Sequence, residues 1–235
     1  MSEAQKNVDL SELAKFEELA SGWWDEDGQS KPLHDLNPVR MAFIAEHCQL
    51  RQAKVIDIGC GGGILSEALA KQEATVTGVD MGEMPLNIAK LHALEAGLKI
   101  KYTQATAEEM ASSEPESYDV VTCLEMLEHV PDPASIIQAC ADLVKPGGHL
   151  FFSTLNRHPK AYLLAVVGAE YVMNMLPKGT HDYKRFIRPA ELATWCRQAG
   201  LKVSHMTGMN YNPITRQFSL GKDVKVNYLI HCQKP

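Results

Sequence analysis

The sequence lacks the features that mark several large classes of protein. Its six cysteines form no CxxC pair, so neither a zinc ribbon nor a disulfide framework is indicated. The polar, acidic start of the chain does not predict a signal peptide. We therefore expect a cytoplasmic protein whose cysteines stay reduced and act mostly as small apolar side chains.

Long apolar runs and an excess of positive charge are missing as well. A membrane-spanning helix needs ~20 apolar residues, and the richest run here, residues 161–176, is interrupted by Glu170. With 29 acidic residues against 23 basic ones, the net charge is −6, which argues against nucleic acid as a partner. The remaining composition, 45% hydrophobic and 22% charged, predicts an ordinary folded domain.

Helix and strand patterns divide the chain into four parts. Residues 1–53 predict a helical cover, and residues 54–155 alternate between strands and helices. Residues 156–188 break that rhythm and are too long for an ordinary connection, so they are interpreted as an insertion or lid. Residues 189–235 predict a helix and two terminal strands, in a hairpin, that complete the same domain. The alternation predicts the α/β class with a doubly wound, mostly parallel sheet.

The stretch VIDIGCGGGIL predicts a buried strand, a glycine-rich turn and the start of a helix. Asp57, Gly59, Gly61 and Gly63 form the pattern DxGxGxG, whereas Ile64 stands where the dinucleotide pattern GxGxxG has its third glycine. An NAD-dependent oxidoreductase is therefore disfavoured. The turn favours a ligand that has one nucleoside and an amino-acid tail.

Asp80 ends the second predicted strand, 21 residues after Gly59. A carboxylate at that place can accept hydrogen bonds from both ribose hydroxyls of a nucleoside. With these features the chain resembles the class I S-adenosylmethionine-dependent methyltransferases. The resemblance implies a Rossmann-like, seven-stranded sheet and S-adenosyl-L-methionine as the cofactor. It also implies a set of cofactor contacts: Asp57 in the motif, Gly59 and Gly61 at the methionine part, Asp80 at the ribose, Met81 beside the adenine, Ala107 and Glu108 at its edge, and the Leu124 carbonyl at the ammonium group.

Stretches outside this core are similar to one branch of that family. WWDEDGQSKPLHDLNPVR, CLEMLEHVPDP, PKGTHDYKRFI and YNPIT together resemble the bacterial ubiquinone biosynthesis O-methyltransferases, from Val8 to the last strand. The resemblance implies O-methylation of a lipid-soluble polyprenylated catechol or demethylubiquinol, with a ubiquinone biosynthesis assembly as a further partner. It also implies that Arg40, in NPVR, pairs with the cofactor carboxylate, for which a guanidinium fork is suited.

The pattern ExxEH, formed by Glu125, Glu128 and His129, is the candidate for the chemistry. In a helix these three side chains would converge on one face. They could then hold a divalent cation that binds both catechol oxygens and lowers the pKa of the phenol. His129 could instead act alone as a general base, or the turn could be purely structural. The resemblance to enzymes associated with magnesium favours Mg²⁺.

The predicted insertion carries a second functional hypothesis. Its apolar run is followed by Lys178, His181, Lys184, Arg185 and Arg188. An apolar surface flanked by cations is typical of segments that contact anionic lipid. For a lipid-soluble substrate, residues 161–188 therefore predict peripheral association with the inner face of the cytoplasmic membrane. The alternative is a core-packed helix with a solvated basic end.

The sequence is also compatible with functions that differ from this enzyme activity. A zinc hydrolase built on ExxEH is disfavoured, because Glu125 replaces the first histidine of HxxEH and no third ligand is evident. A methyltransferase for another class of small molecule, or a non-catalytic cofactor-binding module of a biosynthetic assembly, would carry the same motifs. Trp23 and Trp24 could cover the cofactor or anchor the N-terminal helices.

Overall fold

The computed structural model describes residues 6–163, 182–212, 215 and 217–235. Within these residues eight strands form one sheet, in the order β3-β2-β1-β4-β5-β8-β6-β7. The strands are β1 Lys54–Ile58, β2 Thr75–Asp80, β3 Lys101–Gln104, β4 Tyr118–Leu124, β5 Val144–Leu155, β6 Lys202–Asn212, β7 Gln217–Gly221 and β8 Asn227–Gln233.

Eight α-helices accompany the sheet in the described ranges. They are α1 Leu10–Leu19, α2 Lys31–His47, α3 Ile64–Lys71, α4 Glu83–Glu95, α5 Ala107–Ser113, α6 Pro133–Leu143, α7 Pro159–Ala161 and α8 Pro189–Gln198. Several begin where the sequence supplies a cap: the Asp9 carboxylate accepts the N–H groups of Ser11 and Glu12 at the start of α1. The Asp132 carboxylate does the same for α6, with Pro133 in the first turn.

The sheet confirms the predicted α/β class and adds one strand. Strands β1 to β5 run parallel to one another, and β8 lies antiparallel between β5 and β6. The two predicted terminal strands, β6 and β8, pair antiparallel as expected. The sequence prediction missed β7, which extends the sheet beyond seven strands by pairing with the outer edge of β6. Its short, only half-buried run QFSLG carries a weak strand signal.

The core occupies both faces of the sheet. Along β5 the side chains alternate: Leu150 and Phe152 join the cluster that packs against α6 and α8, and Phe151 joins the cluster on the opposite face with α2 and α3. Phe43 and Ile44 of α2 are fully buried in that second cluster. The predicted cover, residues 1–53, thus shares its core with the rest of the domain. The boundary after residue 53, like the other limits predicted from the sequence, stays a prediction.

Most of the predicted lipid-contact segment, residues 164–181, lies outside the described residues. Among the helices that are described, none combines the length and the apolar character needed to cross a bilayer.

Candidate active site

A cavity of about 800 Å³ lies where β1, β2 and β4 end and α1 and α2 approach the sheet. This is the edge where doubly wound sheets bind their ligands. All but one of the site residues predicted from the sequence line this cavity: Arg40, Asp57, Gly59, Gly61, Asp80, Met81, Ala107, Leu124, Glu125, Glu128 and His129. Glu108 is the exception, because its Oε1 accepts hydrogen bonds from Asn7 Nδ2 and Ser135 Oγ instead.

The turn after β1 is shaped by its backbone. Gly59, Gly61 and Gly63 have φ of 71°, 51° and 89°, in the left-handed region that side chains other than glycine rarely adopt. A Cβ atom at Gly61 would also overlap the indole of Trp23, which lies directly on the turn. Only glycine therefore allows this close cover.

Asp80 fastens the turn to the end of β2. Its Oδ2 accepts the N–H of Gly61 at 2.9 Å, and its Oδ1 accepts the N–H of Gly82 at 2.8 Å. Burial raises the pKa of this carboxyl, and the backbone N–H groups partly counter that effect. Each oxygen still has a lone pair with which to accept a bond from a ligand hydroxyl.

Asp57 has a structural position beneath the turn. It is 2% exposed, its Oδ2 accepts from Ser66 Oγ at 2.7 Å, and its Oδ1 accepts from Thr122 Oγ1 at 2.8 Å. Burial raises the pKa of Asp57 to about 6, although these two hydroxyl groups lower it. The side chain thereby joins β1 to α3 and β4, and holds the turn at the cavity floor.

Arg40 reaches the cavity from α2 and is only 5% exposed. Its Nη2 lies 3.5 Å from Glu125 Oε1, and no acceptor among the described residues forms a hydrogen bond with Nε or Nη2. Unpaired buried donors of a charged group are costly, so this guanidinium suits an anionic ligand group. The contact with the cofactor carboxylate, which the resemblance implied, stays a prediction.

The turn after β4 does not have the helical form in which ExxEH would converge. Glu125 has φ of 54°, and a single 3₁₀ turn spans Leu127–His129. Glu125 is held by β5 and β8, because its Oε1 accepts from Ser153 Oγ at 2.6 Å and its Oε2 from Asn227 Nδ2 at 3.1 Å. The helix on which the convergence of these three side chains was conditional is therefore not formed, because tertiary hydrogen bonds determine the turn.

Glu128 is buried on the β5 side of the same turn. Its Oε2 accepts from Thr154 Oγ1 at 2.8 Å, and the residue is 3% exposed. Burial, reinforced by the negative charge of Glu125, raises the pKa of Glu128 to about 7. This carboxyl therefore titrates near neutral pH.

His129 faces the opposite way, toward α1. Its Nδ1 lies 2.7 Å from Glu12 Oε2, and the ring of Phe16 packs edge-on against it, with 5.0 Å between ring centroids. Burial disfavours the charged imidazole, but the bond to Glu12 and the nearby carboxylates outweigh it, so the pKa of His129 is raised. Sequence reasoning missed Glu12, because nothing in the pattern LSELAKF shows that one acidic side chain points inward.

The magnesium site predicted from the sequence would need Glu125, Glu128 and His129 to converge on one point. Glu125, Glu128 and His129 each bind a different protein partner rather than a common point. Across the described part of the chain, no group of three or more His, Cys, Asp or Glu side chains is arranged to hold a metal ion. The three-ligand site expected from the sequence does not fit this arrangement.

Trp23 covers the glycine turn, and Trp24 anchors the N-terminal segment to the rest of the domain. Trp23 lies on the glycine turn, and Trp24 Nε1 donates to Gly62 O at 2.8 Å. The Trp24 ring stacks on His92 at 3.4 Å between centroids, and His92 Nδ1 lies 2.6 Å from Glu67 Oε1. The N-terminal segment is thus attached to α3 and α4 as well as to the turn.

Comparison with known proteins agrees with this geometry. A family model described as a methyltransferase domain matches residues 27–206. The chain is 63% identical over 235 residues to the ubiquinone biosynthesis O-methyltransferase of Saccharophagus degradans, covering 100% of both chains. It is 62% identical over 228 residues to the protein of that name from Stutzerimonas stutzeri, covering 97% of this chain and 98% of the relative.

Solved structures show the same fold at low sequence identity. A magnesium protoporphyrin IX methyltransferase from Synechocystis PCC 6803 with bound SAM matches with a TM-score of 0.64 and 19% identity, covering 98% of this chain and 100% of that one. A SAM-dependent methyltransferase from Aquifex aeolicus matches with a TM-score of 0.63 and 14% identity, covering 94% and 97%. With these folds and two full-length relatives above 60% identity, the chain belongs to the ubiquinone biosynthesis O-methyltransferases, within the S-adenosylmethionine-dependent methyltransferase family.

Proposed function

We propose that this chain transfers the methyl group of S-adenosyl-L-methionine to a phenolic oxygen of a polyprenylated catechol or quinol in ubiquinone biosynthesis. One observation carries the proposal: a single cavity whose wall holds both the glycine turn with Asp80 and the imidazole of His129. Family membership supplies the substrate class. The residue roles below rest on the geometry.

The cofactor would bind across the ends of β1, β2 and β4. The Nε and Nη2 of Arg40, which form no hydrogen bond with the described residues, would receive its carboxylate. The ribose hydroxyls would donate to Asp80, whose oxygens each have further capacity to accept. Met81 and Ala107 would flank the adenine, and the Leu124 carbonyl would accept from the ammonium group. In this arrangement the side chain of Glu108 makes no cofactor contact, since it faces Asn7 and Ser135.

Methyl transfer needs a phenolate oxygen in line with the sulfonium methyl carbon. The oxygen–carbon bond forms as the sulfur–carbon bond breaks, which leaves a methyl ether and S-adenosylhomocysteine. A phenol of pKa ~10 is mostly protonated at neutral pH, so a base must take its proton. We assign this role to His129, whose raised pKa makes it a better proton acceptor than an ordinary histidine.

Glu128 would support the base without contacting the substrate proton. Its negative charge is one of the causes that raise the pKa of His129, so it stabilises the imidazolium that forms when the proton is taken. The bond from Thr154 keeps the carboxyl in place. Since the pKa of Glu128 is near 7, this support increases as the pH rises through neutrality.

The apolar part of the cavity would receive the ring and the start of the isoprenoid tail. Its wall is formed by side chains from α1, α2 and β7: Leu13, Phe16, Leu33, Leu36 and Phe218. A volume of about 800 Å³ lies within the ~300–1,000 Å³ common for ligand pockets. The cofactor and a substrate headgroup can therefore share it.

Peripheral membrane contact is a further part of the proposal. Tyr162 and Leu163 are 47% and 59% exposed at the start of the predicted lipid-contact segment. Serine at both positions should reduce co-sedimentation with vesicles of anionic phospholipid, whereas Leu94→Ser, which alters a leucine on α4 that is even more exposed, should not. Equal sedimentation of the first variant and the unmodified chain would contradict contact at this place. Membership of a biosynthetic assembly is likewise proposed on the family resemblance alone.

The decisive experiment supplies purified chain with S-adenosyl-L-methionine and a short-chain demethylubiquinol analogue, and measures both products by mass spectrometry. We expect the methylated quinol and S-adenosylhomocysteine in equal amounts. Binding of S-adenosylhomocysteine without turnover of a catechol would instead indicate a non-catalytic module. Turnover of an unprenylated catechol at the same efficiency would place the chain with another substrate class.

A further inference from the structure

Glu12 is a buried carboxylate in the first turn of α1. It is 8% exposed, while the other acidic residues of that helix, Glu17 and Glu18, are half-buried or exposed. Burying a carboxylate is costly unless it is paired. Glu12 has two partners: Lys15 Nζ lies 2.8 Å from its Oε1, and His129 Nδ1 lies 2.7 Å from its Oε2.

The bond between Glu12 and His129 has a definite polarity. The carboxylate of Glu12 is ion-paired with Lys15 through its Oε1, and an ionised carboxylate can only accept hydrogen bonds. The hydrogen must therefore reside on Nδ1 of the imidazole. In the neutral ring Nε2 then carries the lone pair, and among the described residues no group forms a hydrogen bond with Nε2.

We propose that Glu12 is a positioning residue for methyl transfer: it fixes His129 in the Nδ1–H form, so that Nε2 is the atom that accepts the substrate proton. The proposal rests on the proposed function, in which His129 is the base. As the phenol proton moves to Nε2, the oxygen–methyl bond forms and the sulfur–methyl bond breaks. The imidazolium left behind carries one positive charge beside the Glu12 carboxylate, and it later releases that proton to water.

The helix that carries Glu12 is fixed independently on three sides. Asn7, just before it, exchanges two bonds of 2.8 Å with the backbone of Asp132 beyond the His129 turn. The cap residue Asp9 accepts from Arg185 Nη2 at 2.6 Å. At its other end, Glu17 Oε1 accepts the N–H of Glu83 at 2.7 Å, at the start of α4.

The base and the residues that orient it therefore come from two distant parts of the chain. Phe16, one turn after Glu12 on α1, packs edge-on against the imidazole and restricts its rotation. The N-terminal helix therefore contributes to the orientation of the base in addition to covering the cavity. A cover alone would need apolar contacts, and would not need an ionised carboxylate aimed at Nδ1.

The test combines a substitution with a direct measurement on the unmodified protein. Glu12→Gln keeps the size of the side chain and removes its charge; we expect kcat to fall roughly 10- to 100-fold, as part of the ~10²–10⁴ that general-base catalysis supplies. The KM for S-adenosyl-L-methionine should stay within about twofold. Glu18→Gln, on the exposed side of the same helix, is the matched control and should leave kcat unchanged.

Nitrogen-15 NMR of histidine in the unmodified chain reports the tautomer without any mutation. At a pH where His129 is neutral, its signals should show the hydrogen on Nδ1, and Glu12→Gln should change them. A predominant Nε2–H form in the unmodified protein would overturn the proposal, even if Glu12→Gln proved too unstable to assay. Unchanged kcat and unchanged nitrogen signals in Glu12→Gln would overturn it too.

His129→Gln separates this inference from the proposed function. If that variant keeps its rate, the assignment of the base fails, and the role of Glu12 fails with it. If His129→Gln is inactive and Glu12→Gln is normal, only the positioning role is wrong. If His129 is the base and Glu12 positions it, the double variant Glu12→Gln/His129→Gln should be no slower than His129→Gln alone. The two substitutions then remove one shared function.

Discussion

The turn after β1 and the turn after β4 border the same cavity, yet they are built in different ways. The first takes its shape from its own backbone, through three glycines at positive φ and the N–H of Gly61, which Asp80 accepts. The hydrogen bond from Gly61 to Asp80, which holds the turn, joins residues 19 apart in the chain. More distant side chains then cover and support the turn: Trp23 lies on Gly61, and Thr122 binds Asp57 beneath it.

The second turn takes its shape from side chains that come from elsewhere. Ser153 and Thr154 of β5 bind Glu125 and Glu128, Asn227 of β8 binds Glu125, and Glu12 of α1 binds His129. Cofactor binding and proton transfer should therefore respond to different mutations. Changes in the first turn should weaken binding, and changes around the second should slow the chemistry.

The largest effect is expected from His129→Gln. Without an imidazole to accept the phenol proton, kcat should fall by ~10²–10⁴. The dissociation constant of S-adenosylhomocysteine, measured by calorimetry, should stay within about twofold, because the first turn is untouched. A parallel loss of affinity would show that the two turns are not separable, and a normal rate would remove His129 as the base.

Gly61→Ala is expected to lower the affinity for S-adenosylhomocysteine, which His129→Gln should leave unchanged. The new Cβ atom meets the Trp23 ring at a backbone φ of 51°, so the turn or its cover must shift. We expect the affinity for S-adenosylhomocysteine to fall at least tenfold. Gly22→Ala is the control, since a Cβ there has nothing within 4 Å. Normal affinity in Gly61→Ala would mean that the close cover is not needed for binding.

Glu128→Gln tests the second turn through stability. Because the folded-state pKa of Glu128, about 7, lies above its ordinary 4.5, unfolding releases a proton between these pH values. The free energy of unfolding should therefore decrease as pH rises from 4.5 to 7, by at most about 3 kcal/mol from this group. The Glu128→Gln variant should lack this decrease, so the difference between its free energy of unfolding and that of the unmodified chain, measured by urea unfolding, should change across this pH range. Parallel profiles would mean that Glu128 is an ordinary carboxyl.

The smallest effect is expected from metal removal. Glu125, Glu128 and His129 are occupied by protein partners, so a chelator should leave kcat unchanged within about twofold at fixed pH. Activity that is lost on chelation and restored by Mg²⁺ would show that these side chains rearrange around a cation. It would thereby restore the three-ligand site first expected from the sequence.

Prediction from sequence succeeded where function depends on residues close in the chain. The DxGxGxG pattern and Asp80 predicted a turn that the structure contains, and helix–strand alternation predicted the parallel sheet. It left the arrangement of ExxEH open, because the convergence of its side chains was conditional on a helix, in which local hydrogen bonds dominate. At Glu125 the bonds to Ser153 and Asn227 place the backbone at a φ of 54° instead.

The sequence by itself determined the parallel part of the sheet, the glycine turn and the family, since each depends on spacing, on local backbone freedom or on overall similarity. Only the tertiary structure decided which way Glu125, Glu128 and His129 point, and that Glu12 lies against the imidazole. Glu12 and His129 are 117 residues apart, and no local periodicity connects them. Their contact exists because α1 is held over the end of β4 by bonds at both of its ends.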